Sequence, residues 1–262
     1  MSERTGYPQG TPCWADIWTD DPAAGRAFYA GLFGWEWEVS PDPAFGGYSI
    51  ALLRGKRVVG LSGTMIPDMR PAWVTYLAVD DADAFAAAVP AAGGTVVGPP
   101  MDIADQGRMA LATDPAGALF AVWQQGIHTG SELVNEPGTV VWNELVAPGI
   151  DKEAEFYRAT IGVSFEEMAG SDPTMPVYKL VKVDGRTVGG AMPPTPEMGE
   201  LPPHWGIYFE VADADADAAV EQAQDLGARV LSRVQPTPQG PMATLADPQG
   251  APFAVIASGS AE

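Results

Sequence analysis

The feature that most constrains the fold of this chain is an internal repeat. Residues 14–35 (WADIWTDDPAAGRAFYAGLFGW) return as residues 142–163 (WNELVAPGIDKEAEFYRATIGV), with tryptophan, an acid two positions later, Phe-Tyr and glycine in register. Self-similarity at such a period indicates repeated structural units. It predicts two equivalent domains, residues 1–127 and 137–262, joined by the polar stretch 128–137. Two further pairs support the repeat: residues 73–83 with 205–215, and residues 113–123 with 246–256.

Each half is predicted to contain two successive βαβββ units, so the fold class is α+β. A strand over residues 14–19 precedes Asp20-Asp21-Pro22, an acidic cap with proline in the first helical turn, and Gly34 ends that helix. Apolar residues at helical spacing, including Phe28-Tyr29 and the matching Phe156-Tyr157, are predicted to anchor helices on the sheet.

The second unit is predicted to have a strand over residues 73–79 and a helix over residues 81–92 that stops at Gly93-Gly94. The tetrapeptides Asp-Pro-Ala-Gly at 114–117 and Asp-Pro-Gln-Gly at 247–250 are predicted to be type I turns between antiparallel strands.

Composition excludes several classes of partner. Fourteen Lys and Arg against 34 Asp and Glu give a net charge of -20, which repels nucleic acid and anionic membrane surfaces. The sequence has no apolar run long enough to span a bilayer, and its first ten residues lack the apolar stretch of a signal peptide. Cys13 is the only cysteine. These features predict a cytoplasmic protein without an intramolecular disulfide.

The combination of motifs resembles the vicinal oxygen chelate superfamily of glyoxalases, extradiol dioxygenases and bleomycin-resistance proteins. The shared pattern is a strand followed by an acid, Phe-Tyr and glycine, then a second strand ending in Val-Asp or Val-x-Asp, and a final Asp-Pro-x-Gly hairpin. It is similar to tandem glyoxalase-like proteins of high-GC bacteria, often labelled hydroxylase or glyoxalase-like antigen. The resemblance implies cupped mixed sheets in both halves.

The resemblance also implies a divalent metal held by His and Glu side chains inside each cup. The positions where those ligands should stand carry residues that cannot bind a metal, and the strands near residues 58–66 and 187–195 contain no His, Asp, Glu, Gln or Cys. We therefore expect no metal and no other cofactor. The substituted ligand positions are Trp14, Val74 and Ala121 in the first half and Trp142, Gly206 and Ala254 in the second.

Strand alternation indicates what replaced the ligands, because residues two apart share a face. The predicted cups are aromatic with isolated carboxylates, which suits a flat organic molecule that carries a hydrogen-bond donor or a positive charge. A carboxylate in such a cup would have a raised pKa and could act as a general acid or base; otherwise it is held by backbone amides or an arginine. The candidate ligand-binding residues are Trp14, Asp16, Trp18, Tyr76, Trp123, Trp142, Glu144, His204, Tyr208 and Glu210.

Three functions stay open at this point. The chain is predicted to bind a small molecule without metal, for sequestration, resistance or sensing. The alternatives are a metal-free enzyme that uses Asp16 or Glu144 as acid or base, and a metalloenzyme with a shifted site around His204. The modules could pair first with second and third with fourth, or first with fourth and second with third; we favour the sequential pairing. Catalytic residues and oligomeric state are left open.

Overall fold

The computed structural model describes residues 3–168, 177–198, 201–211 and 215–258. The four α-helices of these ranges are α1 (Pro22–Phe33), α2 (Ala82–Ala88), α3 (Ile150–Ile161) and α4 (Ala216–Asp225). The first-half strands are β1 (Pro12–Thr19), β2 (Glu36–Val39), β3 (Ser49–Leu53), β4 (Lys56–Gly63), β5 (Ala72–Ala78), β6 (Thr95–Ile103), β7 (Gly107–Thr113) and β8 (Leu119–Gln125). The second-half strands are β9 (Val140–Val146), β10 (Ser164–Glu167), β11 (Lys179–Val183), β12 (Arg186–Met192), β13 (His204–Glu210), β14 (Arg229–Gln235), β15 (Met242–Ala246) and β16 (Pro252–Ile256).

The strands form two eight-stranded mixed sheets with the same connectivity. The first has the order β2-β3-β4-β1-β5-β8-β7-β6, and the second has the order β10-β11-β12-β9-β13-β16-β15-β14. In each sheet the first strands of two modules lie side by side and antiparallel, β1 beside β5 and β9 beside β13. The predicted α+β class and the sequential pairing of modules are therefore confirmed.

Local signals account for the helix ends, with one correction. Asp21 accepts hydrogen bonds from the amides of Ala23 and Ala24 at the start of α1, and Gly34 closes that helix at a φ of 72°. Helix α2 ends at Ala88, so its predicted extension to residue 92 is wrong. The physical reason is Pro90, which has no amide hydrogen to continue the helical ladder. None of the helices in the described ranges is long and apolar enough to cross a bilayer.

Each helix-bearing core joins modules of both halves. One core combines α1 and its strands with α4, β13, β15 and β16, and the other combines α2, β7 and β8 with α3 and β9. The sheets therefore meet through their helix-bearing faces. Phe28-Tyr29 and Phe156-Tyr157 lie in these cores, where they pack edge to face with other aromatic rings.

Two hydrogen-bonded chains of Trp, Tyr and Asp also cross between the halves. In one, the Trp73 indole donates to the Tyr29 hydroxyl (3.0 Å), which donates to Asp247 (3.0 Å). The matching chain runs from Trp205 through Tyr157 (2.8 Å) to Asp114 (3.1 Å). Both aspartates also accept amide hydrogen bonds inside their Asp-Pro-x-Gly turns. These turns are structural, as predicted. Through the hydrogen bond between its aspartate and a tyrosine, each turn also connects its hairpin to a helix of the other half.

Glu153 breaks the symmetry of the two chains. It lies in the first turn of α3, is 1% exposed, and its Oε2 has no hydrogen-bond partner. Burial, followed by the charge of Asp114 and a hydrogen bond with it, raises the pKa of Glu153 to about 7. The matching residue of α1 is Gly25, so only one of the two contacts contains a pair of carboxyl groups.

Candidate functional site

The helix-free face of each sheet carries the acid found by the repeat. On β1, Ala15 and Ile17 pack into the core with α1, whereas Trp14 and Trp18 belong to a separate cluster with Tyr76. Asp16 shares the face of this second cluster, because its carboxylate bonds to Trp14 and Tyr76. We call the helix-free face of the first sheet, centred on Asp16, the first cup, and the matching face of the second sheet, centred on Glu144, the second cup.

Asp16 is held by three donors in the first cup. Its Oδ1 accepts from the Trp14 indole (2.8 Å) and the Tyr48 hydroxyl (2.7 Å), and its Oδ2 accepts from the Tyr76 hydroxyl (2.7 Å). The residue is 3% exposed. Burial raises the pKa of Asp16, and the hydrogen bonds from Tyr76, Tyr48 and Trp14 oppose that rise.

Glu144 occupies the matching position with fewer direct donors. Its Oε2 accepts from the Tyr178 hydroxyl (2.7 Å) and its Oε1 from the Tyr208 hydroxyl (2.8 Å). The Trp142 indole donates to the Tyr178 hydroxyl (3.1 Å). Burial raises the pKa of Glu144, opposed by the two tyrosines and by the charge of His204. Each carboxylate oxygen therefore accepts one strong hydrogen bond and keeps room for another.

Two glycines make space for these networks. Gly60 is paired with Asp16 across β1 and β4, and Gly190 is paired with Glu144 across β9 and β12. A Cβ at Gly60 would lie 2.0 Å from Asp16 Oδ1, and one at Gly190 would lie 1.9 Å from the Tyr178 hydroxyl. Both positions therefore need glycine for the tyrosine to reach the acid.

Sequence reasoning missed Tyr48 and Tyr178. They stand 130 residues apart in register (178 minus 48), as do Gly60 and Gly190 (190 minus 60), so extending the repeat into β3 and β4 would have found them. Tyrosine and glycine are not among the metal-ligand types that the family resemblance implies, so the expected ligand pattern contained no signal for them.

The segment after β8 covers the first cup. His128 lies edge-on to Trp14, with ring centroids 4.4 Å apart, and near Trp123 at 5.6 Å. The Trp123 indole donates to the carbonyl of His128 (2.8 Å), and Ser131 donates to the Val58 carbonyl (2.7 Å). Burial lowers the pKa of His128 to about 4. Three residues in the first half of the polar stretch 128–137 are therefore buried against the first sheet: His128, Ser131 and Leu133.

The second cup is lined by smaller and more accessible residues. Where the first cup has Trp18, Trp123 and Val74, the second has Val146, Ile256 and Gly206 at the repeat positions. The residue that matches His128 is Ala261, which lies outside the described residues. Trp14 and Tyr76 are buried, whereas their counterparts Trp142 and Tyr208 are half-buried. The first cup is thus filled by its own side chains, whereas the aromatic rings of Trp142 and Tyr208 in the second cup are partly exposed.

His204 and Glu210 differ in their relation to Glu144. The Nδ1 of His204 lies 2.8 Å from the Pro202 carbonyl, which favours the tautomer with hydrogen on Nδ1 and leaves Nε2 as an acceptor. That Nε2 would be 4.0 Å from a Cβ at Gly206, so it lies over the gap that this glycine leaves beside Glu144. The carboxylate of Glu210 accepts a hydrogen bond from the backbone amide of Ser258 (2.8 Å).

The donor set does not fit a divalent metal. Six expected ligand positions carry Trp, Val, Gly or Ala, and the described residues contain no group of three or more His, Cys, Asp or Glu that could hold an ion. A single carboxylate bonded to tyrosine hydroxyls lacks the three or four protein ligands that catalytic metal sites use. We therefore derive no step through a metal.

Comparison with known proteins agrees with the fold and its duplication. The Glyoxalase/Bleomycin resistance protein/Dioxygenase superfamily matches residues 13–122, and the Glyoxalase-like domain family matches residues 139–256. Among solved structures, the Mn(II)-bound glyoxalase of Novosphingobium aromaticivorans superposes with a TM-score of 0.65 at 18% identity, covering 96% of this chain and 83% of that one. The 2,3-dioxygenase LapB of Pseudomonas sp. KL28 gives 0.66 at 14% identity, covering 96% and 93%. At these identities the likeness concerns the fold.

Two curated relatives are similar over nearly their whole length. "Putative glyoxylase CFP32" of Mycobacterium tuberculosis is 43% identical over 98% of both chains. Anthracycline biosynthesis protein DnrV of Streptomyces peucetius is 39% identical over 96% of this chain and 94% of that one. With the paired modules, the doubled sheet and these matches in both halves, the chain belongs to the glyoxalase/bleomycin resistance/dioxygenase superfamily.

Proposed function

We propose that the chain binds a small planar organic molecule in the second cup, without a metal ion. The observation that carries the proposal is the contrast between the cups. The same carboxylate-tyrosine arrangement is covered by His128 in the first cup, where Trp14 and Tyr76 are buried, whereas their counterparts Trp142 and Tyr208 stay half-buried in the second. Half-exposed aromatic rings around a buried acid suit recognition of a flat, polar ligand.

The hydrogen-bonding pattern narrows the ligand chemistry. The hydroxyl groups of Tyr178 and Tyr208 both donate their hydrogen bonds to Glu144, so only oxygen lone pairs of this network remain for a ligand in the cup. The ligand must therefore bring the donor: a phenolic or alcoholic hydroxyl, an N–H or an ammonium group. The description of DnrV as an anthracycline biosynthesis protein supports a polycyclic aromatic ligand with hydroxyl groups.

A metal-free enzyme is the second candidate, favoured by Glu144 and His204. Burial raises the pKa of Glu144, so this carboxyl group keeps its proton to a higher pH than an exposed glutamate would. The Nε2 atom of His204 is a hydrogen-bond acceptor in the same cup. Together they could move a proton on a bound carbonyl compound. Turnover of the bound molecule distinguishes this function from binding alone.

The test is a titration with a fluorescent anthracycline, daunorubicin, monitored by quenching of its emission. Glu144→Gln keeps the shape and removes the anionic acceptor, so we expect Kd to rise about tenfold or more, the usual effect of losing a charged hydrogen bond. Asp16→Asn is the matched control. It alters the same network in the covered first cup, so it should lower the melting temperature and leave Kd unchanged.

Equal Kd values for the wild type and Glu144→Gln, or a larger loss in Asp16→Asn, would contradict the assignment to the second cup. Chromatography of the recovered daunorubicin after prolonged incubation tests turnover. An unchanged ligand supports binding alone, and a product that Glu144→Gln and His204→Gln both fail to form supports the enzyme.

A further inference from the structure

A cavity lies at the seam between the halves, next to the second cup. It has a volume of about 440 Å³, within the usual size range of small-molecule sites. Its wall is made by four segments, at residues 4–12, 134–135, 140–143 and 183–188. We call it the seam cavity. Trp142, whose indole bonds in the second cup, also contributes to its wall.

The charge of the seam cavity is opposite to that of the chain. Arg4 and Arg186 line it, and Asp184 is the one acidic residue among the described residues of its lining, in a protein of net charge -20. In the described part of the chain, neither guanidinium has a carboxylate within ion-pair distance. The charge of Arg4 acts on the hydroxyl of Tyr7, another lining residue, so it lies close to the cavity. Two uncompensated cations at one cavity favour an anionic group.

The walls add an apolar surface. Val134, Val140 and Val188 provide apolar contacts, and the Tyr7 ring provides an aromatic one. The lining therefore combines two cations with apolar walls.

We propose that the seam cavity is a second binding site, for an organic anion with an apolar or aromatic body. Its acid group lies between Arg4 and Arg186, and its body packs on the valines and Tyr7. The site is independent of the second cup in its chemistry, because one takes an anion and the other takes a hydrogen-bond donor.

The test compares two probes of the same shape, 2-naphthoate and the neutral 2-naphthylmethanol, by saturation-transfer NMR and calorimetry. We expect naphthoate to bind about tenfold more tightly than the alcohol, since two cations face its carboxylate. Arg4→Gln combined with Arg186→Gln should abolish that difference.

Arg229→Gln is the control for a general charge effect, because Arg229 is exposed on β14 and does not line the cavity. Equal binding of the two probes, no binding of either, or the same loss in Arg229→Gln would overturn the proposal. Glu144→Gln should leave naphthoate binding unchanged, and the double arginine variant should leave daunorubicin binding unchanged. Failure of one site is thereby distinguished from failure of the other.

Discussion

Replacing Glu153 by glutamine should stabilise the protein relative to the wild type, and this difference in stability should grow as the pH rises. The glutamate is buried against Asp114 at the contact between α3 and the first-half hairpin. Its pKa rises from 4.5 in the ordinary case to about 7 in the folded chain. Above pH 4.5 the unfolded chain therefore loses this proton more readily than the folded one. The stability that Glu153 contributes is fully present below pH 4.5, declines as pH rises, and is lost above about 7.

The magnitude follows from the size of the shift. One pKa unit corresponds to about 1.4 kcal/mol, so the rise from 4.5 to about 7 corresponds to at most about 3.5 kcal/mol. Relaxation and water entry reduce this, and we expect a measured change of about 1–3 kcal/mol between pH 4.5 and 8. Glutamine keeps the size and a hydrogen-bond donor for Asp114 but cannot ionise.

Urea unfolding at closely spaced pH values measures the effect. The free energy of unfolding of Glu153→Gln minus that of the wild type should increase steadily from pH 4.5 and level off above about 7. Glu155→Gln, an exposed change on the same helix, supplies the control and should show no such trend. A difference that stays constant across this range would refute the argument that the pKa of Glu153 is raised in the folded protein.

Two further predictions concern the cups. His128→Leu should remove an acid-sensitive step: because burial lowers the pKa of His128 from 6.5 to about 4, the wild type should lose about 1–3 kcal/mol of stability as pH falls from 6.5 to 4, and the variant should lose less in urea unfolding. Gly190→Ala should cost about 1–3 kcal/mol and weaken daunorubicin binding, because its Cβ displaces the Tyr178 hydroxyl from Glu144. Gly63→Ala, where nothing lies within 4 Å of the added carbon, should do neither; equal melting temperatures for the two alanine variants would count against the steric argument.

The repeat and strand alternation predicted a large part of the architecture. They gave the module plan, the equivalent positions of Asp16 and Glu144, and the face on which these acids lie. Such features depend on local periodicity, since residues two apart on a strand must share a face. The boundaries at 1–127 and 137–262 stay a prediction, as does binding by the candidate residues.

Other features depended on residues distant in the chain. Tyr48 and Tyr178 reach the acids only because β3 and β4 fold back beside β1, as β11 and β12 do beside β9. His128 covers the first cup because of the path that the chain takes after β8. The polar composition of that segment contained no signal for this path. The end of α2 at Ala88 could have been predicted from Pro90, because proline cannot continue the helical hydrogen bonds.

By itself, the sequence determined the duplicated βαβββ plan, the superfamily resemblance and the substitution of every expected metal-ligand position, because these depend on residue identity and spacing. Only the tertiary structure decided which cup is covered, which donors hold each acid, and that Arg4 and Arg186 line one cavity. Those outcomes depend on the packing of segments far apart in the chain. The repeat makes the halves equivalent in fold, but their cups differ in shape. The second cup has Val146 and Ile256 where the first has Trp18 and Trp123, and His128 covers the first cup.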